Sequence, residues 1–146
     1  QIREKMGLCY FIKAEVGGYE DISSFAVHSG LNKDKIYEAL IMIKAELDRV
    51  KKEGISADEL QKAKDNIRGR LILRLESPTS YLNFLAAQEL WNQDIKDLSA
   101  TLAALDKITV NQVNNLAKEV IDWSKSNLAI IGPFANEDKF LKILKS

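Results

Sequence analysis

The chain has 146 residues, 46% of them hydrophobic and 29% charged, with 21 Lys and Arg balancing 21 Asp and Glu. That composition suits one folded domain with a sizeable core and excludes a disordered chain. Zero net charge removes the main electrostatic reason to expect nucleic acid or an anionic membrane as a partner, and no apolar run is long enough to span a bilayer.

The single histidine, His28, and the single cysteine, Cys9, lack metal-ligand spacing, and neither belongs to a nucleophile motif. The chain is therefore a poor candidate for a complete catalytic machinery, and no metal is expected to bind to it. One cysteine excludes an intrachain disulfide and is compatible with a reducing compartment; the cytoplasm is slightly favoured, the location otherwise unknown. The chain opens on Gln1, already close to a β-type run, so it reads as a piece of a longer polypeptide.

Leu8 to Val16 predicts a strand, with Tyr10, Ile12, Ala14 and Val16 on one face. Gly17-Gly18 marks a turn, and Asp21 to Ser29 predicts a second strand that closes an antiparallel hairpin. Ile36, Leu40, Ile43, Leu47 and Val50 form the stripe of an amphipathic helix that ends at Gly54. Ser56-x-x-Glu59 is a capping box opening a helix with Leu60, Ala63, Ile67, Leu71 and Leu75 on its apolar side. Ser77-Pro78 stops that helix and starts the next, which runs to about Trp91. A shorter helix covers about Asp97 to Leu105, and Thr109-x-x-Gln112 is a second capping box. Asn127 to Ile131 predicts a third, buried strand closed by Gly132-Pro133, and a last helix uses Phe140, Leu141 and Leu144.

Strands at both ends and helices between them give an α+β class, an antiparallel sheet of few strands with a block of helices packed on one face. Such a thin sheet leaves an edge bare, a second sign that strands lie elsewhere in a larger two-layer domain. We therefore expect residues 1–146 to be the latter part of a single domain. Self-association through the bare edge, or through the apolar surface that the missing segment would cover, giving a homo-oligomer, is also expected.

His28 reads as a satisfied, partly buried imidazole, and Cys9 as a small core residue. The basic run Val50 to Arg74 is interspersed with Glu53, Asp58, Glu59 and Asp65 and has no aromatic residue, so it reads as a solvated helix surface. Only that run would support an RNA-binding or ligand-binding module. Arg3 and Tyr10 carry more chemistry: a guanidinium offers a planar fork for carbonyls, and a phenol offers a directed donor. A surface ion pair for Arg3 and a core position for Tyr10 remain alternatives on the residues alone.

Arg3-Glu4-x-x-Gly7-Leu8-x-Tyr10 resembles the C-terminal, non-zinc domain of the pitrilysin/insulinase/mitochondrial-processing-peptidase family. The resemblance continues through Gly54-Ile55-Ser56-Ala57-Asp58-Glu59-Leu60-Gln61-Lys62-Ala63-Lys64, Leu75-Glu76-Ser77, Ile108-Thr109-x-x-x-Val113 and Leu128-Ala129-Ile130-Ile131-Gly132-Pro133. It implies one of a pair of α+β domains enclosing a chamber, with zinc on an H-x-x-E-H helix of the other, N-terminal domain, in the same or a companion chain. This sequence has no such helix. The resemblance carries over a substrate-binding pair: Arg3 would hold a peptide carbonyl, and Tyr10 would donate its hydroxyl to the scissile carbonyl as charge builds there. The implied whole is a zinc-dependent metallopeptidase, a hydrolase acting on peptides or unfolded segments, with this part inactive alone. The alternative is a non-catalytic partner subunit or structural interaction domain of the same family.

Overall fold

The computed structural model describes residues 9–18, 21–90 and 94–145. The element order is β1 (Cys9–Gly18), β2 (Ser23–Leu31), α1 (Ile36–Glu53), α2 (Ala57–Arg74), α3 (Pro78–Leu90), α4 (Leu98–Asp106), α5 (Val110–Val120) and α6 (Asp138–Lys145). Short 3-10 turns precede α1 and follow α5. The class is α+β, with β1 and β2 forming a two-stranded antiparallel sheet. Two compact units divide the chain: the described residues up to Gly54 with those from Leu116 onward, and Ile55–Asn115.

In the first unit, α1 turns the expected stripe inward. Ile36 is buried, Leu40, Ile43, Leu47 and Val50 are half-buried, and Ala39 is wholly enclosed. Gly54 ends the helix at φ 78°, a conformation that costs any side-chain-bearing residue energy, and its N–H reaches the Val50 carbonyl at 2.9 Å. α6 lays Phe140 against Tyr37 of α1 at a centroid separation of 4.8 Å, and Phe134 meets both rings edge-on. Asn136 starts α6 by accepting the Asp138 N–H at 2.7 Å.

Asp48 ties α1 to the turn after α5. It accepts the Trp123 indole N–H at 2.6 Å and the Lys44 ammonium at 2.8 Å, while Lys44 stands 5.0 Å from the centre of the Trp123 ring. The Lys44 hydrogen bond holds the Asp48 carboxyl below the usual carboxylate range; the Trp123 N–H adds to this, and partial burial opposes it. The ionised form therefore stabilises the fold above an ordinary aspartate pKa of about 3.9. That contribution is lost as pH falls through the depressed folded value. Asp48→Asn is expected to flatten the loss of thermal stability between neutral and strongly acidic pH, and equal pH profiles for the two proteins would contradict this. At neutral pH, Asp48→Ala should cost about 1–3 kcal/mol by leaving the indole N–H and the ammonium without their acceptor.

In the second unit, α2 begins at the expected capping box. Ser56 Oγ accepts the Glu59 N–H at 3.2 Å, and Glu59 Oε2 accepts the Ser56 N–H at 2.8 Å. The Thr109–Gln112 box forms the same way, at 3.3 and 2.8 Å. Asp97 caps α4 through the Ala100 N–H, and the Asn114 side chain accepts the Ile55 N–H at 2.8 Å. The expected apolar stripe of α2 is only partly buried, with Ala63 and Ile67 exposed. The buried side chain within this helix is Lys64.

Two expectations need correction. Asn127 to Ile131 forms no strand: it runs between Ser126 and Gly132 without helix, turn or ladder, and Ile131 is fully exposed rather than buried. A strand exists only through its ladder, and among the described residues β1 and β2 pair solely with each other. His28 is exposed rather than partly buried, because the strand face it occupies is open.

Candidate functional site

The β1–β2 register pairs Ile12 with Ser29, Ala14 with Val27 and Val16 with Phe25. Alternation therefore puts Phe11, Lys13, Glu15 and Gly17 on the opposite face, across from Gly30, His28, Ala26 and Ser24. The register slips between Cys9, opposite Leu31, and Phe11, opposite Gly30. Tyr10 is the extra residue of this β-bulge, so it does not follow the alternation that would group it with Ile12. Bulges re-aim a side chain and end regular pairing. Here Cys9 is buried while Tyr10 is 74% exposed, and the phenol makes no hydrogen bond among the described residues.

Glycine at position 30 leaves room for the Phe11 ring beside the bulge. A Cβ there would stand 2.5 Å from the Phe11 ring, which covers the glycine across the strand pair. The bulge thus has an apolar neighbour, and Tyr10 projects from a paired strand rather than from a loose loop. Arg3, the other expected substrate-binding residue, lies outside the described residues.

Further along the same hairpin, Glu15, Val16, Gly17, Ser24, Ala26 and His28 line an open hollow. Small residues, Gly17 and Ala26, leave the space, and Glu15 provides its charge. Glu15 forms an ion pair with Lys13, and His28 Nε2 lies 3.4 Å from its other oxygen. The Lys13 contact, first as hydrogen bond and then as charge, holds the Glu15 carboxyl below its ordinary range. Residue types alone offer no signal for this cluster, since its members are brought together only by the cross-strand register.

Zinc does not fit the residues present. Among the described residues no three or more His, Cys, Asp or Glu side chains converge, and Cys9 is buried while His28 stands on the exposed hairpin face. No described helix is long and apolar enough to cross a membrane.

The family described as Peptidase M16 inactive domain matches residues 1–67, a span that includes the hairpin, the bulge and the start of α2. Over those residues, just under half of its length, the chain is similar to the inactive domain of the peptidase M16 family. An uncharacterized zinc protease of Streptomyces coelicolor is 28% identical over 138 residues, covering 94% of this chain and 30% of that protein. The uncharacterized zinc protease YmxG of Bacillus subtilis is 28% identical over 135 residues, covering 92% of this chain and 33% of YmxG. The crystal structure of a conserved protein from Enterococcus faecalis superposes with a TM-score of 0.68 at 21% identity, over 81% of this chain and 27% of that one, a likeness of fold. The chain spans about a third of the length of the curated relatives it matches.

Proposed function

We propose that this chain is the latter part of a C-terminal domain that holds substrate for a zinc-dependent peptidase, the zinc lying on a separate N-terminal domain. The observation that carries the reading is Tyr10: an exposed phenol without a hydrogen-bond partner among the described residues, re-aimed by a bulge, within the region similar to the M16 inactive domain. In this reading Arg3 grips a peptide carbonyl of the substrate. Tyr10 donates its O–H to the carbonyl oxygen of the bond being cut, where negative charge accumulates. The peptide itself is an extended or unfolded segment, since only such a chain presents its carbonyls one by one to a strand end. The zinc protease names of the relatives support placing the metal in the same enzyme, outside this chain.

The polypeptide that carries this chain is expected to cleave unfolded peptides, to lose that activity on zinc chelation, and to regain it when zinc is returned. Absence of cleavage in the zinc-replete protein would overturn this reading in favour of a non-catalytic partner subunit, which the family description of an inactive domain would also suit.

A further inference from the structure

The hollow beside Glu15 lies along β1 from Tyr10, and its form follows from three successive cross-strand pairs. Lys13 stands opposite His28, Glu15 opposite Ala26 and Gly17 opposite Ser24. Residues two apart along a strand share a face, so side chains shrink from long to absent within two steps. That step leaves a hollow of about 500 Å³, bounded by Glu15 and His28 with Gly17, Ser24 and Ala26 beside them. A Cβ on Gly17 would stand 2.9 Å from Ser24 Oγ, so the space depends on residue 17 having no side chain.

The lining is chemically one-sided. Glu15 is its acidic member, and among the described residues neither a lysine nor an arginine joins the lining to balance it. Lys13, outside the hollow, takes Oε1 of the carboxylate. Oε2 faces the His28 ring nitrogen at 3.4 Å, well beyond the roughly 2.7–2.9 Å of a charge-assisted hydrogen bond. The Lys13 hydrogen bond holds the carboxyl below its ordinary range, so Oε2 stays an anionic acceptor with room before it. We propose that this hollow receives an arginine or lysine side chain of the substrate peptide, a selectivity subsite that rests on the peptide-cleaving reading above. Glu15 stands five positions beyond Tyr10 on β1, a span of about 16 Å at about 3.3 Å per residue. An extended peptide rises by the same amount, so one that follows β1 from Tyr10 brings a residue about four to six positions from the scissile bond to Glu15.

Cleavage kinetics of the full-length, zinc-replete polypeptide test this with unfolded peptides that differ at one position. Arginine, or its neutral isostere citrulline, is stepped along both sides of a single scissile bond located by mass spectrometry. The arginine-to-citrulline ratio of kcat/KM is expected to reach about threefold to tenfold at about four to six residues from the bond, on one side, and to stay near unity elsewhere. Glu15→Gln should bring that ratio to unity. Gly17→Val should do the same by filling the hollow while the carboxylate remains, and Glu15→Arg should transfer the preference to a glutamate at the same peptide position. A flat ratio in peptides that are cleaved would overturn the subsite and leave the peptidase reading standing. A preference that survives both Glu15→Gln and Gly17→Val would do likewise, placing the cation elsewhere. Failure to cleave any peptide of the series would overturn both.

Discussion

Tyr10→Phe is expected to lower kcat for peptide cleavage by about 10²–10³-fold, the cost of removing one oxyanion donor, while KM changes little. The asymmetry follows from where the hydroxyl stands. Among the described residues it has no hydrogen bond to lose, so little of the fold depends on it. A neutral peptide carbonyl accepts only weakly from a phenol, whereas the developing oxyanion accepts strongly, so the interaction belongs to the transition state. Phenylalanine keeps the ring, and the ring is mostly exposed, so stability should move by no more than about 0.5 kcal/mol. The measurement is steady-state kinetics on the full-length polypeptide alongside a thermal melt of the same sample. An unchanged kcat with an unchanged melt would remove Tyr10 from the chemistry. A rise in KM alone would make it a binding residue without a role in the chemical step.

What could be read from the residues divides along the range of the interactions involved. The Ser56–Glu59 and Thr109–Gln112 boxes and the left-handed Gly54 are set by contacts within four residues, and each stands where its sequence signal puts it. The hairpin is nearly as local, so its existence was legible even though its strands end two residues later than the turn signals suggest. The bulge was not. Alternation assigns Tyr10 to the face of Ile12, and only the pairing with Leu31 and Gly30 shows the extra residue. Asn127–Ile131 has the composition of a strand, but composition does not supply a partner, and without a partner there is no ladder. The hollow beside Glu15 and His28 is likewise a cross-strand product. In the basic run Val50 to Arg74, the reading as a solvated surface holds for Lys62, paired with Asp58 on an exposed face, and fails for Lys64.

Lys64→Met is expected to destabilise the fold by about 2–3 kcal/mol, the range for losing hydrogen bonds from a charged donor to part-buried acceptors. The ammonium of Lys64 donates to the carbonyl of Asp106 at 2.8 Å and to that of Ile108 at 2.6 Å. These carbonyls lie at and just beyond the C-terminus of α4, where unsatisfied acceptors and the negative end of the helix dipole gather. One cation therefore closes α4 and fixes the loop into the Thr109 capping box, while Arg68, one turn along α2, holds the Asp106 carboxylate at 2.5 Å. Taking an ammonium out of water is costly, which argues for a smaller net effect. Two short hydrogen bonds and the helix end compensate that cost in the native state, whereas methionine removes the donor and leaves both carbonyls unpaired. Methionine fills most of the volume of the lysine stem, so a cavity does not confound the comparison. The control is Lys62→Met, two residues away, whose exposed ion pair should contribute less than about 1 kcal/mol. Urea unfolding of the three proteins separates the cases: a shared small effect would make Lys64 one more surface lysine. A large loss confined to Lys64→Met would show that this lysine closes a helix end about forty residues further along the chain.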